Sequence, residues 1–256
     1  MRGLDLFRQH FAAHADKFVL IGGTAATIAF EEAGLEFRAT KDLDVVLHIE
    51  ALDRAFANVF WQFIEAGGYE IRQASNTGKP VFYRFQKPSD ARYPVMLELF
   101  CRAPDGIALA PAGALTPIPI DDAAASLSAI LLDAAYYDFI LAGRRDADGL
   151  PWVGEDRLIP LKAFAWLDLT ARKARGEIVD AKNIRKHAND VMRLSQLLAP
   201  ETRIVLTSSI AADLRRFLDG VEADGSIDPA SINLDGSIAE IGTRIALAFG
   251  LNQLTA

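Results

Sequence analysis

The stretch that most constrains the fold is residues 21 to 47, IGGTAATIAFEEAGLEFRATKDLDVVL. The glycine pair Gly22–Gly23 follows the apolar run FVLI, and an alanine-rich segment without a helix breaker comes next. The β-branched run LDVVLHI begins at Leu43 and extends two residues past this stretch. These patterns predict a short buried strand or helix-entry segment, then a helix over 24–33 and a further strand. A chain that opens in this order builds its core from both a sheet and helices.

Asp42 and Asp44 stand one residue apart inside the second of these strands. Because side chains alternate along a strand, both carboxylates are expected on one face, with Leu43 and Val45 on the other. Two neighbouring carboxylates repel each other unless a cation lies between them. Mg²⁺ or Mn²⁺ suits such oxygen ligands and commonly adds a substrate phosphate to its shell. The alternative is a pair of solvated acids on an edge strand.

The residues Gly22, Gly23 and Thr24 supply a candidate phosphate site. Glycines directly before a helix let the backbone approach a ligand, and the helix N-terminus favours a negative charge. The hydroxyl of Thr24 can contact the same phosphate. For the glycine pair alone, a tight turn without a ligand remains the alternative.

A third acid, Glu98, lies between Leu97 and Leu99 in the apolar run VMLELF. An isolated acid in such a strand needs a partner, a metal ion or a position facing solvent. If this strand lies beside the strand of the two aspartates, the three acids can hold two metal ions. One ion would position a triphosphate and the other would activate an attacking hydroxyl. The turns between EIRQA, PVFYRFQ and YPVMLELF predict antiparallel neighbours.

A glycine pair, a helix, a D-x-D strand and a lone acid in a later strand resemble the polymerase-beta-like nucleotidyltransferase superfamily. Within it, the chain is most similar to the AbiEii/AbiGii toxin family. The motifs that carry this resemblance are GGTA, RATKDLD, RLIPLKAFAWLDL and IRKHANDVMRL, spread over residues 18 to 200. The resemblance implies an α+β fold, with a mixed-sheet nucleotidyltransferase domain over 1–155 and a helical domain over 156–256.

The same resemblance implies metal-dependent transfer of a nucleotidyl group from an NTP to an acceptor hydroxyl, in a toxin or phage-defence role. It assigns catalytic roles to five residues: Asp42, Asp44, Glu98, Lys162 and Asp190. The three acids of the sheet, Asp42, Asp44 and Glu98, would also be the ligands of Mg²⁺ or Mn²⁺. Nucleotide contacts would come from Gly22, Gly23, Thr24, Arg38 and Lys186.

Several alternatives stay open. The chain can be a catalytically inactive member that binds a nucleotide or a partner within a toxin–antitoxin system. Lys162 has apolar neighbours and can simply cover the core with its aliphatic stem. Asp190 and Lys186, four residues apart, can be an ordinary pair on a helix surface.

Charge and composition bear on the partners. With Lys+Arg 27 against Asp+Glu 34, the formal net charge is −7, so strong non-specific attraction to a polyanion is not expected. An RNA acceptor such as tRNA would need a local basic patch, for which the candidates are Arg172, Lys173, Arg175, Lys182, Arg185 and Lys186. A protein or small-molecule acceptor and a cognate antitoxin protein are also possible partners.

Location is predicted from two features. No apolar run approaches the roughly 20 residues of a membrane helix, so no membrane partner is expected. The single cysteine, Cys101, agrees with a reducing compartment, and we expect a cytoplasmic protein. One further segment, AASLSAILLDAAYYDFILAG, is predicted to begin as a helix and to change to strand-like alternation at Tyr137.

Overall fold

The computed structural model of the chain describes residues 1–73, 80–102, 115–117, 128–131, 133–225 and 227–251. The chain divides into two compact units, Met1–Gly154 and Glu155–Ala256. The first unit combines helices with a mixed sheet, and the described part of the second unit is helical. The predicted α+β fold with a helical C-terminal part is therefore confirmed. No helix within the described ranges is long and apolar enough to cross a membrane.

Within the described residues, the helices of the first unit are α1 (Leu4–His10), α2 (Gly22–Glu32), α3 (Arg54–Gly67) and α4 (Ala134–Ala142). Its strands are β1 (Phe18–Ile21), β2 (Asp42–Leu47), β3 (Glu70–Gln73), β4 (Pro80–Gln86), β5 (Met96–Cys101), β6 (Leu115–Pro117), β7 (Ser128–Leu131), β8 (Arg144–Ala147) and β9 (Leu150–Val153). The helices of the second unit are α5 (Glu155–Ala174), α6 (Ala181–Leu194), α7 (Ser208–Asp224) and α8 (Ile238–Ala248).

The sheet runs in the order β3-β4-β5-β2-β1-β9-β8, and β7 pairs with both β5 and β6. Strand β2 is antiparallel to β1 and parallel to β5. The predicted antiparallel pairing of β3 with β4 and of β4 with β5 is confirmed. Because β2 lies between β1 and β5, the strand that carries Asp42 and Asp44 is interior. The edge-strand alternative for these two aspartates is therefore wrong.

Local sequence explains where the helices beside this strand begin and end. Helix α2 starts at Gly22, two residues before the predicted start, and Gly22 has a φ of +68°. Only glycine adopts such a conformation at little cost, so the chain can turn directly from β1 into α2. Helix α3 begins after Asp53, whose carboxylate accepts a hydrogen bond from the Phe56 N–H at 2.8 Å, and it ends before Gly68.

The core of the first unit is an aromatic cluster that covers one face of the sheet. The ring of Phe60 on α3 lies 5.4 Å from that of Phe85 on β4, in an edge-to-face arrangement. Each fully buried side chain of this kind contributes roughly 1.5–3 kcal/mol. The contact between Phe60 and Phe85 therefore packs α3 against β4. The cluster includes Phe7, Phe11, Phe56, Phe60, Phe63 and Phe85.

The prediction for the segment 124–143 is wrong, because the order of its elements is reversed. Strand β7 comes first and pairs with β5 through Phe100 and Ile130, and helix α4 follows. Asp133 starts this helix by accepting a hydrogen bond from the Ala135 N–H at 2.9 Å. Tertiary pairing with β5 thus overrides the local helical pattern at the start of the segment. Residues 124–127 and 132 lie outside the described ranges.

In the helical unit, α5 packs against α6 and α7. The ring of Trp166 on α5 meets that of Phe217 on α7 edge to face at 5.4 Å. Gly220 on α7 faces the same tryptophan, and a methyl group there would lie 2.8 Å from the indole ring. These helices account for the helical C-terminal part that was predicted.

Candidate functional site

Asp42 and Asp44 lie on one face of β2. Both are partly exposed, whereas Leu43 and Val45 between and after them are fully buried. This alternation follows from the two-residue period of a strand and confirms that the carboxylates share a face. The buried face holds β2 in the core while the other face presents the two acids.

Asp44 also contacts the start of α2. Ile21 pairs in register with Asp44 across β1 and β2, which brings the following residue, Gly22, beside the carboxylate. A methyl group on Gly22 would lie only 1.8 Å from Oδ2 of Asp44. The N-cap residue of α2 is Ile21, whose side chain cannot accept a hydrogen bond. The carboxylate thus stands where the first N–H groups of the helix need an acceptor.

The next two residues of α2 also make close contacts, one with Thr40 just before β2 and one with β2 itself. A methyl group on Gly23 would lie 2.4 Å from Oγ1 of Thr40. Thr24 is fully buried and its hydroxyl donates to the backbone oxygen of Asp42 at 3.0 Å, with the sulfur of Met1 2.7 Å away. The hydroxyl that was predicted to contact a phosphate is therefore directed at the backbone of β2. The first three residues of α2 thus contact residues of the segment TKDLD: Gly22 meets Asp44, Gly23 meets Thr40 and Thr24 meets Asp42.

Thr40 had no role in the sequence-based prediction. Its spacing of two residues before Asp42 is the signal that could have found it, because it continues the alternation of Asp42 and Asp44.

Glu98 lies beside Asp44, which meets the condition for a three-acid site. Strands β2 and β5 are parallel, and Asp44 pairs in register with Glu98. On the other side of β5, Arg84 of β4 is also in register with Glu98, and its Nε and Nη2 groups contact Oε1 of the glutamate. The side chains are 29% and 13% exposed, so the ion pair is largely shielded from water. Of the three options for a lone acid in a strand, the cationic partner is the one realised.

Arg84 is a site residue that the sequence pattern did not reveal. It stands between the buried residues Tyr83 and Phe85 of β4 and therefore points to the same face as the acids. The sequence did place Arg84 in the strand predicted to neighbour that of Glu98. Only the register of the two strands shows that these two residues face each other.

The three predicted metal ligands have different neighbours. No group of three or more His, Cys, Asp or Glu side chains within the described ranges is arranged to hold a metal ion. Asp42, Asp44 and Glu98 therefore do not form such a group, and Glu98 is paired with Arg84. Two carboxylates beside a glycine turn do suit a Mg²⁺ ion that keeps several waters and takes a substrate phosphate. The role of Glu98 as a third ligand stays a prediction.

Lys162 and Asp190 are partners within the helical unit. Nζ of Lys162 on α5 lies 2.9 Å from Oδ2 of Asp190 on α6, and both side chains are buried. Arg193 lies 3.9 Å from the other oxygen of Asp190. Because Asp190 is completely buried, its interpretation as a surface pair with Lys186 is wrong. The assignment of Lys162 and Asp190 to catalysis stays a prediction.

The two remaining candidates are more exposed. Nη1 of Arg38 lies 3.3 Å from the backbone oxygen of Ala39, and its guanidinium lies 5.2 Å from the centre of the Phe37 ring. Lys186 is exposed on α6. Their predicted contacts with a nucleotide stay predictions.

No family model matches the sequence, and the search of curated proteins found no match. An antigenic nucleotidyltransferase-like protein from Paracoccidioides brasiliensis has a solved structure that is 13% identical, with 90% of this chain and 93% of that chain covered and a TM-score of 0.37. A candidate nucleotidyltransferase from H. pylori is 16% identical, with 98% and 96% covered and a TM-score of 0.35. JHP933 from Helicobacter pylori is 16% identical, with 98% and 89% covered and a TM-score of 0.34. Likeness at this level decides neither the family nor the activity.

Proposed function

We propose that the chain is a metal-dependent nucleotidyltransferase that moves a nucleotidyl group from an NTP to an acceptor hydroxyl. The observation that supports this most directly is the contact between Asp44 and Gly22. It joins a carboxylate able to bind a metal ion to a helix N-terminus able to bind a phosphate. Asp42, on the same face of β2, adds a second carboxylate. Metal and triphosphate would thus be held side by side.

Each part of the site has a physical task in this reaction. Asp42 and Asp44 would hold Mg²⁺ or Mn²⁺, which when bound offsets phosphate charge and orients the triphosphate. The backbone N–H groups at the start of α2, beside Asp44, would donate to phosphate oxygens. The acceptor oxygen forms a bond to the α-phosphorus while the bond from that phosphorus to pyrophosphate breaks. The proton of the hydroxyl passes to water.

A basic corner, defined by the end of α5 and the start of α6, supports an RNA such as tRNA as the acceptor. Arg172 and Arg175 pair with Glu177 at 2.8 and 2.9 Å, which offsets part of their charge. Within the described ranges, four exposed cations form no ion pair: Lys173, Lys182, Arg185 and Lys186. A patch of this kind attracts phosphates locally even though the whole chain is acidic. The family resemblance adds a toxin or phage-defence role with a cognate antitoxin to this proposal.

The test is transfer of label from each of four α-³²P-labelled NTPs, with Mg²⁺ or Mn²⁺, to total cellular RNA and protein. Asp44→Asn is expected to lower labelling at least about 100-fold, because even outer-shell partners of metal sites are worth roughly 10–100-fold. The matched control is Asp90→Asn, which removes a carboxylate from a surface pair with Arg92. Full labelling by Asp44→Asn would refute the proposal. NTP binding without transfer would favour the inactive, nucleotide-binding alternative.

The acceptor is tested by reversing charge in the basic corner. A variant with Lys182→Glu, Arg185→Glu and Lys186→Glu is expected to lose most RNA labelling while it still binds the NTP. Arg203→Glu, an exposed change outside the corner, is the control. Unchanged RNA labelling would show that the corner does not bind the RNA acceptor, and label on protein would point to a protein acceptor instead.

A further inference from the structure

Arg84, Glu98 and Asp44 form a row across three neighbouring strands. Register pairs Arg84 of β4 with Glu98 of β5, and Glu98 with Asp44 of β2. All three side chains belong to the partly exposed positions of their strands. A permanent cation therefore stands on the same face of the sheet as the acids of the candidate site.

The guanidinium competes with a metal ion for Glu98. An arginine side chain stays protonated throughout the physiological range, so Arg84 cannot be neutralised by loss of a proton. Nε and Nη2 both contact Oε1 of Glu98, and the pair is largely shielded from water. A divalent ion bound to Glu98 would sit against this fixed positive charge. Repulsion between the two cations, little screened at this position, disfavours such an ion.

The formal charges of the site also disfavour a second divalent ion. Asp42, Asp44 and Glu98 together carry three negative charges, and Arg84 offsets one of them. The charge that remains equals, with opposite sign, that of one divalent cation. Two divalent ions would leave the site strongly positive before any substrate arrived.

We propose that this site binds a single divalent ion, on Asp42 and Asp44, and that Arg84 replaces the second ion as the positive group facing the substrate phosphates. Glu98 is then a positioning residue that holds the guanidinium, and not a metal ligand. The contacts with Glu98 use Nε and Nη2. Nη1 can therefore donate to a phosphate oxygen, a pairing for which the planar guanidinium is well suited. The identity of the substrate in this inference rests on the proposed function.

The first test counts bound Mn²⁺ by the loss of the free-ion signal in electron paramagnetic resonance. The unaltered chain is expected to bind one ion. Arg84→Gln is expected to bind two, because it frees Glu98. Arg92→Gln, which removes an arginine from the exposed pair with Asp90, is the matched control and should bind one. Two ions on the unaltered chain, or one ion on a folded Arg84→Gln, would overturn the inference.

Glu98→Gln gives a second test that does not depend on the folding of Arg84→Gln. If Glu98 only positions Arg84, the Mn²⁺ affinity of Glu98→Gln should fall by less than about tenfold, whereas Asp44→Asn should lose at least about 100-fold. Equal losses in the two variants would identify Glu98 as a ligand and refute the inference. Circular dichroism confirms that each variant is folded.

The phosphate contact is tested by binding of α,β-methylene analogues of ATP, GTP, CTP and UTP in the presence of Mn²⁺. Arg84→Gln should weaken binding of the preferred analogue about tenfold, as expected for a lost charged hydrogen bond, while Arg92→Gln leaves it unchanged. Arg84→Lys should restore part of the affinity because it keeps the charge. Unchanged affinity in Arg84→Gln, or no binding of any analogue to the unaltered chain, would refute the contact between Arg84 and a substrate phosphate.

These measurements separate the two proposals. A chain that binds one Mn²⁺ and an analogue but labels no acceptor would refute nucleotidyl transfer and leave the single-ion site standing. A chain that labels an acceptor and binds two Mn²⁺ would support nucleotidyl transfer and refute the single-ion site.

Discussion

Gly22 and Asp44 approach each other so closely that a methyl group on the glycine would lie 1.8 Å from Oδ2 of the aspartate. The φ of Gly22, +68°, is independently unfavourable for any residue with a side chain. Space and backbone conformation thus both require glycine here. The helix α2 and the carboxylate of β2 are consequently fixed relative to each other, which is the property that a combined metal and phosphate site needs.

Gly22→Ala is therefore predicted to cost far more stability than an alanine at another glycine of similar backbone conformation. The matched control is Gly34→Ala, where φ is +71° and, apart from its chain neighbours, no atom of the described residues lies within 4 Å of the added methyl group. The control should lose only the conformational cost of about 1–2 kcal/mol. Gly22→Ala should lose clearly more, because Asp44 must also move. Urea unfolding followed by circular dichroism measures both, and equal losses would contradict the close contact.

The local sequence pattern was sufficient to predict those parts of the site that lie within one stretch of the chain. Alternation placed Asp42 and Asp44 on one face, and the glycine pair marked the start of α2. Both depend on neighbours within a few residues, which is the range over which strand and helix periods act.

The pairing of Arg84 with Glu98 depended on information that the local pattern lacks. Whether a lone acid in a strand meets a metal ion, water or a cation is decided by the register of the neighbouring strand. That register depends on turns and on packing elsewhere, and a shift by one residue turns a side chain to the other face. The same holds for Lys162 and Asp190, since helical periodicity does not show which residues of two helices meet.

The buried pair of Lys162 and Asp190 is predicted to show strong coupling. Asp190→Leu alone should lower the free energy of unfolding by about 3–5 kcal/mol, because it leaves the lysine charge buried without its partner. The double variant Lys162→Met/Asp190→Leu should lose less than either single change, since apolar side chains of similar volume can fill the space. A double-mutant cycle from chemical unfolding measures the coupling, and additive losses would contradict a direct buried interaction.

Cys101 is predicted to be unreactive in the folded chain. Burial raises the pKa of its thiol to about 12. The unfolded thiol has a pKa of roughly 8.5, so only the unfolded chain should react with iodoacetamide at about pH 8. Mass spectrometry before and after unfolding in urea tests this, and rapid alkylation of the native chain would contradict the burial of Cys101.

The same shift predicts a loss of stability in alkali. Between a pH of roughly 8.5 and about 12, the unfolded thiol has lost its proton while the folded thiol keeps it. The free energy of unfolding should therefore fall as the pH rises through this window. Tyr69 and Tyr137 act in the same direction, because burial also raises the pKa of each. The free energy of unfolding is therefore measured against pH for the unaltered chain and for Cys101→Ala. The difference between the two slopes gives the contribution of Cys101, and identical slopes would contradict the prediction.

Thr24 allows a structural role to be separated from a phosphate contact. Its buried hydroxyl donates to the backbone oxygen of Asp42, so Thr24→Val should lower the free energy of unfolding by about 1–2 kcal/mol. Thr24→Ser keeps the donor and should lose less. Thr27→Val is the matched control, because its hydroxyl donates to the backbone oxygen of Gly23 within the same helix. If Thr24→Val instead keeps full stability and weakens binding of the NTP analogue about tenfold, the hydroxyl serves a phosphate and its contact with β2 is secondary.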